Sequence, residues 1–314
     1  MSSGISSILT EVLIRHAEVK ITSPLQLRTV GGGSINTAFH ITTSHSQQWF
    51  CKINDAARFP DLFVLERQGL ALLGATGAIR VPEVIACEVY PDHNNIDRHQ
   101  VLMLEWIDEG PRTDAFWRLF GQQLAQLHQV TQPTFGLDAP MWTSGPLAEG
   151  PSPMHNYMGA LPQSNTPSSD WVDFFIHQRL EPQTKLAASK GLLNSREMDQ
   201  FQRLYKVLGN IFDPAPPCLL HGDLWSGNFL CDKMGRPVLI DPAVYFGHRS
   251  MDLAMTTLFG GFERPFYEAY AHHYPFPPNH REQWEICNLY PLLIHLNLFG
   301  KSYLRNILHT IQRF

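Results

Sequence analysis

Cysteine is scarce in this sequence of 314 residues, and its cysteines form no familiar pattern. There are five of them, an odd number, and no C-x-x-C pair occurs. They are Cys51, Cys87, Cys218, Cys231 and Cys287. Widely spaced cysteines argue against a disulfide framework and against a zinc site, and they favour a reducing compartment.

The sequence also lacks a long apolar run and a basic leader. No stretch approaches the ~18 apolar residues that a membrane-spanning helix needs. The start of the chain has no basic segment followed by an apolar run, as a signal peptide would. Its apolar residues instead follow helical spacing, as at Ile5, Ile8, Leu9, Val12 and Leu13. We therefore expect an amphipathic helix there, and a cytoplasmic protein with no membrane partner.

Positive charge is not in excess. The formal net charge is -5, with 17% charged and 44% hydrophobic residues, which is typical of an ordinary globular protein. This balance argues against a nucleic-acid partner, because such proteins normally present a basic face. It does not exclude a polyanionic ligand such as a nucleotide, which one local basic or metal site can hold. The length allows about two domains.

The first third of the chain reads as a small sheet with one helix. Residues 25–53 alternate apolar and polar side chains on both sides of the segment GGGSIN, and two further β-rich segments lie at 81–90 and 99–107. Between them, residues 61–73 switch to helical spacing. This pattern predicts a mainly antiparallel sheet that ends near residue 105.

The remainder is predicted to be mostly helical. Amphipathic segments begin near residues 113, 168 and 250, and the run from Trp284 to Phe314 is helical with a bend or break at Pro291. Residues 131–167 are rich in Pro, Gly, Ser and Asn and predict a long loop. The sequence therefore divides into a region 1–105 and a region 106–314.

The most informative stretch is LLHGDLWSGNFL, residues 219–230, which is followed by VLIDPA at residues 238–243. Short apolar runs on either side of the turn DKMGRP predict a hairpin. Asn228 would precede its first strand and Asp241 would end its second. The hairpin therefore brings Asn228 and Asp241 together, with Asp223 facing them.

These three residues suggest phosphoryl transfer. Asn and Asp oxygens are hard ligands that suit Mg²⁺, and a separate Asp can accept a proton from a hydroxyl nucleophile. The pattern H-G-D-x-x-x-x-N followed by I-D-P matches the parts of a protein-kinase-like site. The structural alternative is a capped turn with a few satisfied polar groups, but spacing and hairpin context both favour the site.

An ATP site is predicted upstream. A glycine loop, whose backbone N–H groups can approach phosphates, comprises Gly31, Gly32, Gly33 and Ser34. Lys52 lies on the next strand, where kinases hold the α- and β-phosphates, and Glu66 lies on the predicted helix, where its partner is expected. Glu105, Trp106 and Ile107 fall in the linker segment whose backbone would bind adenine.

Three stretches give the sequence a family resemblance. They are HGDLWSGN, IDPAVYFGHRSMDLAM at residues 240–255, and NYMGALPQSNTPSSDWVDFFIHQRL at residues 156–180. With HGD in place of HRD, the sequence resembles the aminoglycoside phosphotransferase-like kinases, and within them the fructosamine/ketosamine kinase family. The resemblance implies an α+β, protein-kinase-like bilobal fold. The ATP-binding N-lobe, an antiparallel sheet with one main helix, would be residues 1–105, and the larger, mainly helical catalytic and acceptor-binding C-lobe would be residues 106–314.

The resemblance also implies a reaction. It is ATP-dependent phosphorylation of the sugar 3-hydroxyl of a ketosamine, on a small sugar-amine or a glycated protein, by a transferase that serves in deglycation. Asp223 would be the base, Asn228 and Asp241 would hold Mg²⁺, and Trp225 would flank the sugar. Asp252 would support the catalytic loop. We expect a monomer, although the sequence does not fix the oligomeric state.

Two departures and two alternatives accompany this interpretation. Some family members carry a Cys in the glycine loop, whereas this sequence has Ser34, which puts a redox switch in doubt. The stretch before residue 156 is also divergent. One alternative is a kinase for another small acceptor, such as an aminoglycoside or choline. The other is a silent nucleotide-binding scaffold, which the presence of Lys52, Asp223 and Asp241 disfavours.

Overall fold

The structure is a computed structural model. It describes residues 2–17, 19–31, 35–91, 98–137 and 155–314. Three residues of the predicted glycine loop, Gly32, Gly33 and Ser34, lie outside the described residues.

A five-stranded antiparallel sheet forms the first part of the molecule, as predicted. Its strands are β1 (Gln26–Val30), β2 (Thr37–Thr42), β3 (Gln48–Asp55), β4 (Val84–Pro91) and β5 (Arg98–Glu105). Their order across the sheet is β1-β2-β3-β5-β4. Helix α1 (Ser2–His16) packs on one face of this sheet, and helix α2 (Leu62–Ala75) packs on the other.

The alternation of side chains along β3 decides which residues reach each face. Cys51 and Ile53 are buried together with Leu9 and Val12 of α1. Lys52 lies between them in sequence and therefore points to the opposite face, toward α2. This alternation directs Cys51 and Ile53 to the apolar face of the sheet that packs against α1, and it directs the buried Lys52 to the face that packs against α2.

The rest of the chain is mainly helical. Its helices are α3 (Asp114–Leu127), α4 (Trp171–Phe174), α5 (Glu181–Ser189), α6 (Ser195–Tyr205), α7 (Ser250–Leu258), α8 (Arg264–His273), α9 (His280–Cys287), α10 (Leu289–Phe299) and α11 (Leu304–Ile311). A π-helical turn, Phe175–Leu180, joins α4 to α5. None of the helices that the structure describes is long and apolar enough to cross a membrane.

Three short antiparallel strand pairs accompany the helices. The strands are β6 (His155–Met158), β7 (Leu161–Ser164), β8 (Cys218–Leu220), β9 (Phe229–Cys231), β10 (Pro237–Leu239) and β11 (Tyr245–Gly247). β9 pairs with β10, β8 with β11, and β6 with β7. The β9–β10 hairpin is the one that the sequence predicts around the turn DKMGRP.

Two local predictions were wrong. Residues 155–164, predicted to belong to a long loop, form the β6–β7 hairpin, which turns at Gly159 with φ of +59°. The helical break falls at Asn288 instead of Pro291, because Pro291 lies in the first turn of α10. A proline is tolerated in the first turn of a helix, since the N–H groups there have no intrahelical acceptor.

The sheet and the helical part meet at the β9–β10 hairpin. Arg80 pairs with the buried carboxylate of Asp232 at 2.9 Å and also with Glu105 at the end of β5. The backbone N–H of Leu239 donates to the carbonyl of Arg80, and that of Gly110 donates to the carbonyl of Cys231. These contacts hold β9–β10 against the segment that leaves the sheet. We retain 1–105 and 106–314 as a proposed division into lobes.

Candidate active site

The loop that follows β8 carries the HGD motif, and it is anchored by Asp252 on α7. The two carboxylate oxygens of Asp252 accept the backbone N–H groups of His221 at 2.7 Å and Gly222 at 2.8 Å. His128 also contacts Asp252, at 3.2 Å, and bonds to the hydroxyl of Tyr270 at 2.8 Å. Asp252 therefore supports the loop from behind, as the sequence interpretation expected, and His128 in turn contacts Asp252.

Gly222 is required where this loop meets the one that follows β10. Its φ is +86°, and a Cβ atom there would lie 2.0 Å from the carbonyl oxygen of Ala243. The N–H of Ala243 donates to the carbonyl of His221 at 2.9 Å. Asp241, two residues earlier, has a left-handed φ of +54°, which Asp tolerates better than most residues. Because the two loops approach so closely, Asp223 and Asp241 line the same cavity.

Asp223 is held by Asn228. The Asn228 side-chain amide donates to the backbone carbonyl of Asp223 and to its Oδ2, both at 2.9 Å. Burial raises the pKa of the Asp223 carboxyl to about 7, and the Asp241 carboxylate adds to the shift. A carboxylate with a raised pKa is a better proton acceptor than an exposed one. The amide oxygen of Asn228 is the atom that this arrangement leaves for a metal.

Lys52 connects the sheet to both other parts of the site. Its Nζ lies 2.8 Å from Oε1 of Glu66 on α2 and 2.5 Å from Oδ1 of Asp241. Burial alone would lower the pKa of Lys52, but the carboxylates of Asp241 and Glu66 raise it above its ordinary value. Lys52 therefore stays charged inside the protein, where it can neutralise an anion.

These residues line a polar cavity of about 190 Å³ between the sheet and the helical part. The residues on its wall include Asn36, Lys52, Glu66, Asn156, Asp223, Asn228 and Asp241. The Asp241 side chain is 42% exposed, so its carboxylate is open to the cavity. Among the described residues, no three His, Cys, Asp or Glu side chains cluster as a metal site would need. One carboxylate and one amide oxygen suit Mg²⁺, which takes its remaining ligands from water and phosphate oxygens.

A second cavity, of about 290 Å³, opens on the other side of Asp223. Asp223, Trp225 and Gly159 line both cavities. The indole of Trp225 lies against Gly227, where an added Cβ would be 2.3 Å from the ring. Asp223 thus lies between a polar cavity that contains a lysine and a second cavity beside an aromatic ring.

The remaining predicted nucleotide-site residues are placed as follows. Gly31 is exposed at the end of β1, and the rest of the glycine loop is outside the described residues. The N–H of Glu105 donates to the carbonyl of Glu83 at 2.9 Å, and Ile107 is buried. The Trp106 ring stacks on His40 with centroids 3.7 Å apart. Adenine binding by residues 105–107 stays a prediction.

Two asparagines in the polar cavity were missed by sequence reasoning. Asn36 accepts a hydrogen bond from Asn54, and the Asn156 side chain donates to the carbonyl of Val244 at 2.8 Å. Gln163 donates to the Asn156 amide oxygen, so the β6–β7 hairpin supports the segment after Asp241. A buried asparagine gives no hydrophobic signal. The one indication in the sequence that Asn156 belongs to the site is its position in the stretch NYMG, which resembles the family.

Comparison with known proteins adds an independent finding. A profile of the family described as fructosamine kinase matches residues 6–314. The chain is 38% identical to a Lactiplantibacillus plantarum protein named "Probable ketoamine kinase", covering 91% of this chain and 93% of that one. It is 32% identical to "Protein-ribulosamine 3-kinase, chloroplastic" of Arabidopsis thaliana, covering 95% and 85% of the two chains.

Solved structures agree with the fold. A Thermobifida fusca protein assigned as a fructosamine-3-kinase superposes with a TM-score of 0.81 at 30% identity, covering 98% of each chain. A type I macrolide 2'-phosphotransferase superposes with a TM-score of 0.58 at 16% identity, covering 98% of this chain and 96% of the other. The second likeness concerns the fold alone, and it matches the kinase-like arrangement expected from the sequence.

Proposed function

The chain belongs to the fructosamine kinase family, and we propose that it transfers the γ-phosphoryl group of ATP to the 3-hydroxyl of a ketosamine sugar. The observation that carries the proposal is the position of Asp223. Its carboxylate lies between the polar cavity, where Lys52, Glu66 and Asp241 are joined, and the second cavity beside Trp225. A phosphoryl donor on one side and an acceptor hydroxyl on the other would meet at this residue.

In this proposal Asp223 orients the acceptor hydroxyl and takes its proton. The Asn228 amide fixes the carboxylate through two hydrogen bonds, so little reorganisation is needed. The raised pKa of Asp223 is suited to proton acceptance near neutral pH. The proton leaves the hydroxyl oxygen as the bond from that oxygen to phosphorus forms and the bond from phosphorus to the ADP oxygen breaks.

Lys52 would neutralise the donor phosphates, with Glu66 fixing its position. Asn228 and Asp241 would hold Mg²⁺, which supplies charge stabilisation for the transferring phosphoryl group when bound. Their oxygens fit such an ion, because the Asp241 carboxylate is open to the cavity and the Asn228 nitrogen is already engaged by Asp223. Trp225 would offer its apolar ring to the C–H face of the sugar.

The proposal is tested by ADP release with Mg-ATP and a panel of acceptors: fructoselysine, a ribulosamine, a glycated protein, choline and an aminoglycoside. We expect release with ketosamines. The Asp223→Asn variant should lose at least about a thousandfold in turnover, because the amide cannot accept the proton. It should still bind the nucleotide, which can be measured by titration calorimetry.

The matched control is Asp213→Asn, an equally conservative change at an exposed position outside both cavities. This variant should keep wild-type turnover. Turnover on choline or an aminoglycoside, with none on ketosamines, would support kinase activity but contradict the proposal that the acceptor is a ketosamine. Full ketosamine activity in Asp223→Asn would contradict the assignment of Asp223 as the base.

A further inference from the structure

The second cavity has a wall that the transfer reaction itself does not need. Beyond Asp223 and Trp225 it is formed by residues of the β6–β7 hairpin, the α7–α8 loop and the C-terminal half of α10. Its apolar members are Met158, Trp225, Phe259, Ile294, Leu298 and Phe299. We name this region, from Trp225 outward to Phe299, the aromatic slot.

Two phenylalanines in the aromatic slot are exposed. Phe259 is 41% and Phe299 is 52% exposed, whereas most large apolar side chains of the described residues are buried. Neighbouring exposed aromatic rings are unfavourable in water, and such patches commonly mark binding sites. The rings also form a continuous series: Trp225 contacts Phe259, Phe259 contacts His295, and His295 contacts Phe299, with centroids 5.0 to 6.1 Å apart.

Beyond Asp223 at its inner end, the aromatic slot carries no charged side chain among the residues that the structure describes. The one other titratable residue on this described wall is His295. The Nδ1 atom of His295 lies 2.7 Å from the carbonyl oxygen of Pro291, which can only accept, so Nδ1 carries the proton. Burial lowers the pKa of His295, so the ring is neutral at pH 7. An anionic group on a ligand would therefore find no cationic partner among the described residues of this wall.

We propose that the aromatic slot binds the substituent on the ketosamine nitrogen, and that it selects ketosamines whose amine carries an apolar or aromatic group. This inference rests on the proposed function. A sugar hydroxyl held at Asp223 places the rest of the substrate on the acceptor side, beside Trp225. The cavity volume of about 290 Å³ accommodates a sugar with a ring-sized substituent, near the lower end of the usual range for small-molecule sites.

The test compares substrates that share one sugar and differ only in the amine. They are the fructosamines of benzylamine, of methylamine and of glycine, the last of which carries a carboxylate. We expect kcat/KM to be at least about tenfold higher for the benzylamine compound than for the glycine compound, mainly through KM. The methylamine compound should lie between them.

The variants Phe299→Ala and Phe259→Ala test whether the apolar side chains of the aromatic slot contact the substituent on the ketosamine nitrogen. Each should reduce the ratio of kcat/KM between the benzylamine and glycine compounds by about threefold or more, because part of the apolar contact is lost. The two residues lie on different elements, so one variant remains informative if the other does not fold. Met234→Ala is the matched control, since Met234 is 78% exposed in the β9–β10 turn, away from the slot; it should keep the ratio.

The outcomes separate the two proposals. Equal kcat/KM for the three fructosamines would overturn the aromatic slot while leaving the ketosamine kinase in place. An equal loss for all substrates in both Phe variants would also overturn it, because the residues would then act on folding or on the sugar. Absence of turnover with every ketosamine would overturn the proposed function and this inference together.

Discussion

Gly227 has no side chain, and the indole ring of Trp225 occupies the space that one would need. A Cβ atom at residue 227 would lie 2.3 to 2.8 Å from three atoms of that ring. The ring would have to move away, because real atoms do not approach so closely. The position of Trp225 beside Asp223 therefore depends on this glycine.

Gly227→Ala should displace the Trp225 ring and raise the KM for the ketosamine by about three- to tenfold. The KM for ATP should change less, because in the proposed mechanism the nucleotide would bind in the polar cavity with Lys52. Steady-state kinetics with each substrate varied in turn measures both values. Gly209→Ala is the control, since that position has open space around it. An unchanged ketosamine KM would show that the ring does not contact the acceptor.

His248 is a buried base that the reaction does not use. Burial lowers the pKa of His248 to about 3, and the nearby charge of Arg249 adds to the shift. The ring accepts the N–H of Ser250 at 3.2 Å and packs between Trp171 and Phe212, which fits the neutral form. An unfolded chain would protonate this histidine near pH 6.5.

The contribution of His248 to stability should therefore fall as the pH is lowered, whereas the raised pKa of Asp223 acts in the opposite direction. Because the pKa of His248 is lower in the folded protein, its contribution is complete above pH ~6.5 and is lost progressively toward pH 3, by up to about 1.4 kcal/mol per pH unit. Urea unfolding of the wild type and of His248→Asn at pH 7.5, 6.0 and 5.0 isolates this contribution. Because the asparagine cannot be protonated, the free energy of unfolding of His248→Asn should rise relative to that of the wild type as the pH falls below 6.5. Parallel slopes would contradict the assignment.

Motif spacing predicted which charged residues meet in the site, since Lys52, Glu66 and Asp241 lie within hydrogen-bond distance. It did not predict Asn156, whose placement depends on a hairpin with buried polar residues on both strands. Local sequence carries a strong signal when a residue type is rare at a given spacing. It carries little when a neutral amide is buried by tertiary contacts alone.

At the scale of elements, helices α3 and α8 cross at Gly121. A Cβ atom there would lie 2.1 Å from the carbonyl oxygen of Phe266 and 2.9 Å from the N of Tyr270. The neighbour is backbone and cannot rotate away. This close crossing also brings His128, just after α3, to the Tyr270 hydroxyl. The packing of two helices thus fixes His128, which contacts Asp252 behind the loop that carries the HGD motif.

Gly121→Ala should force the two helices apart and lower the free energy of unfolding by about 1–3 kcal/mol, despite the better helix propensity of alanine. The midpoint of thermal unfolding should fall by several degrees. Gln126→Ala, at an exposed position of α3, is the control for propensity and should leave the midpoint nearly unchanged. A Gly121→Ala protein as stable as the wild type would contradict the close crossing.

Elements with a strong period were predicted best. The five strands and α2 follow their patterns closely, and so does α3, which Thr113 caps. The region 168–180 was predicted as one helix, and it contains a π-helical turn at Phe175–Leu180. Such a turn inserts one residue without changing composition, so the sequence gives no local signal for it.

At the scale of the whole molecule, the polar cavity exists because the sheet and the helical part face each other. Lys52 comes from β3, Glu66 from α2 and Asp241 from the loop after β10. The ion pair between Lys52 and Asp241 crosses the boundary between the two proposed lobes, and Arg80 pairs with Asp232 across the same boundary at the hairpin. A site built in this way requires both parts of the chain.

We propose that this site phosphorylates the 3-hydroxyl of a ketosamine. The most direct measurement is ¹H–³¹P correlation NMR of the product formed from fructoselysine or a ribulosamine with Mg-ATP. We expect one product, in which phosphorus couples to the proton on carbon 3 of the sugar. Phosphate on another hydroxyl, or ADP formation without any sugar phosphate, would contradict it.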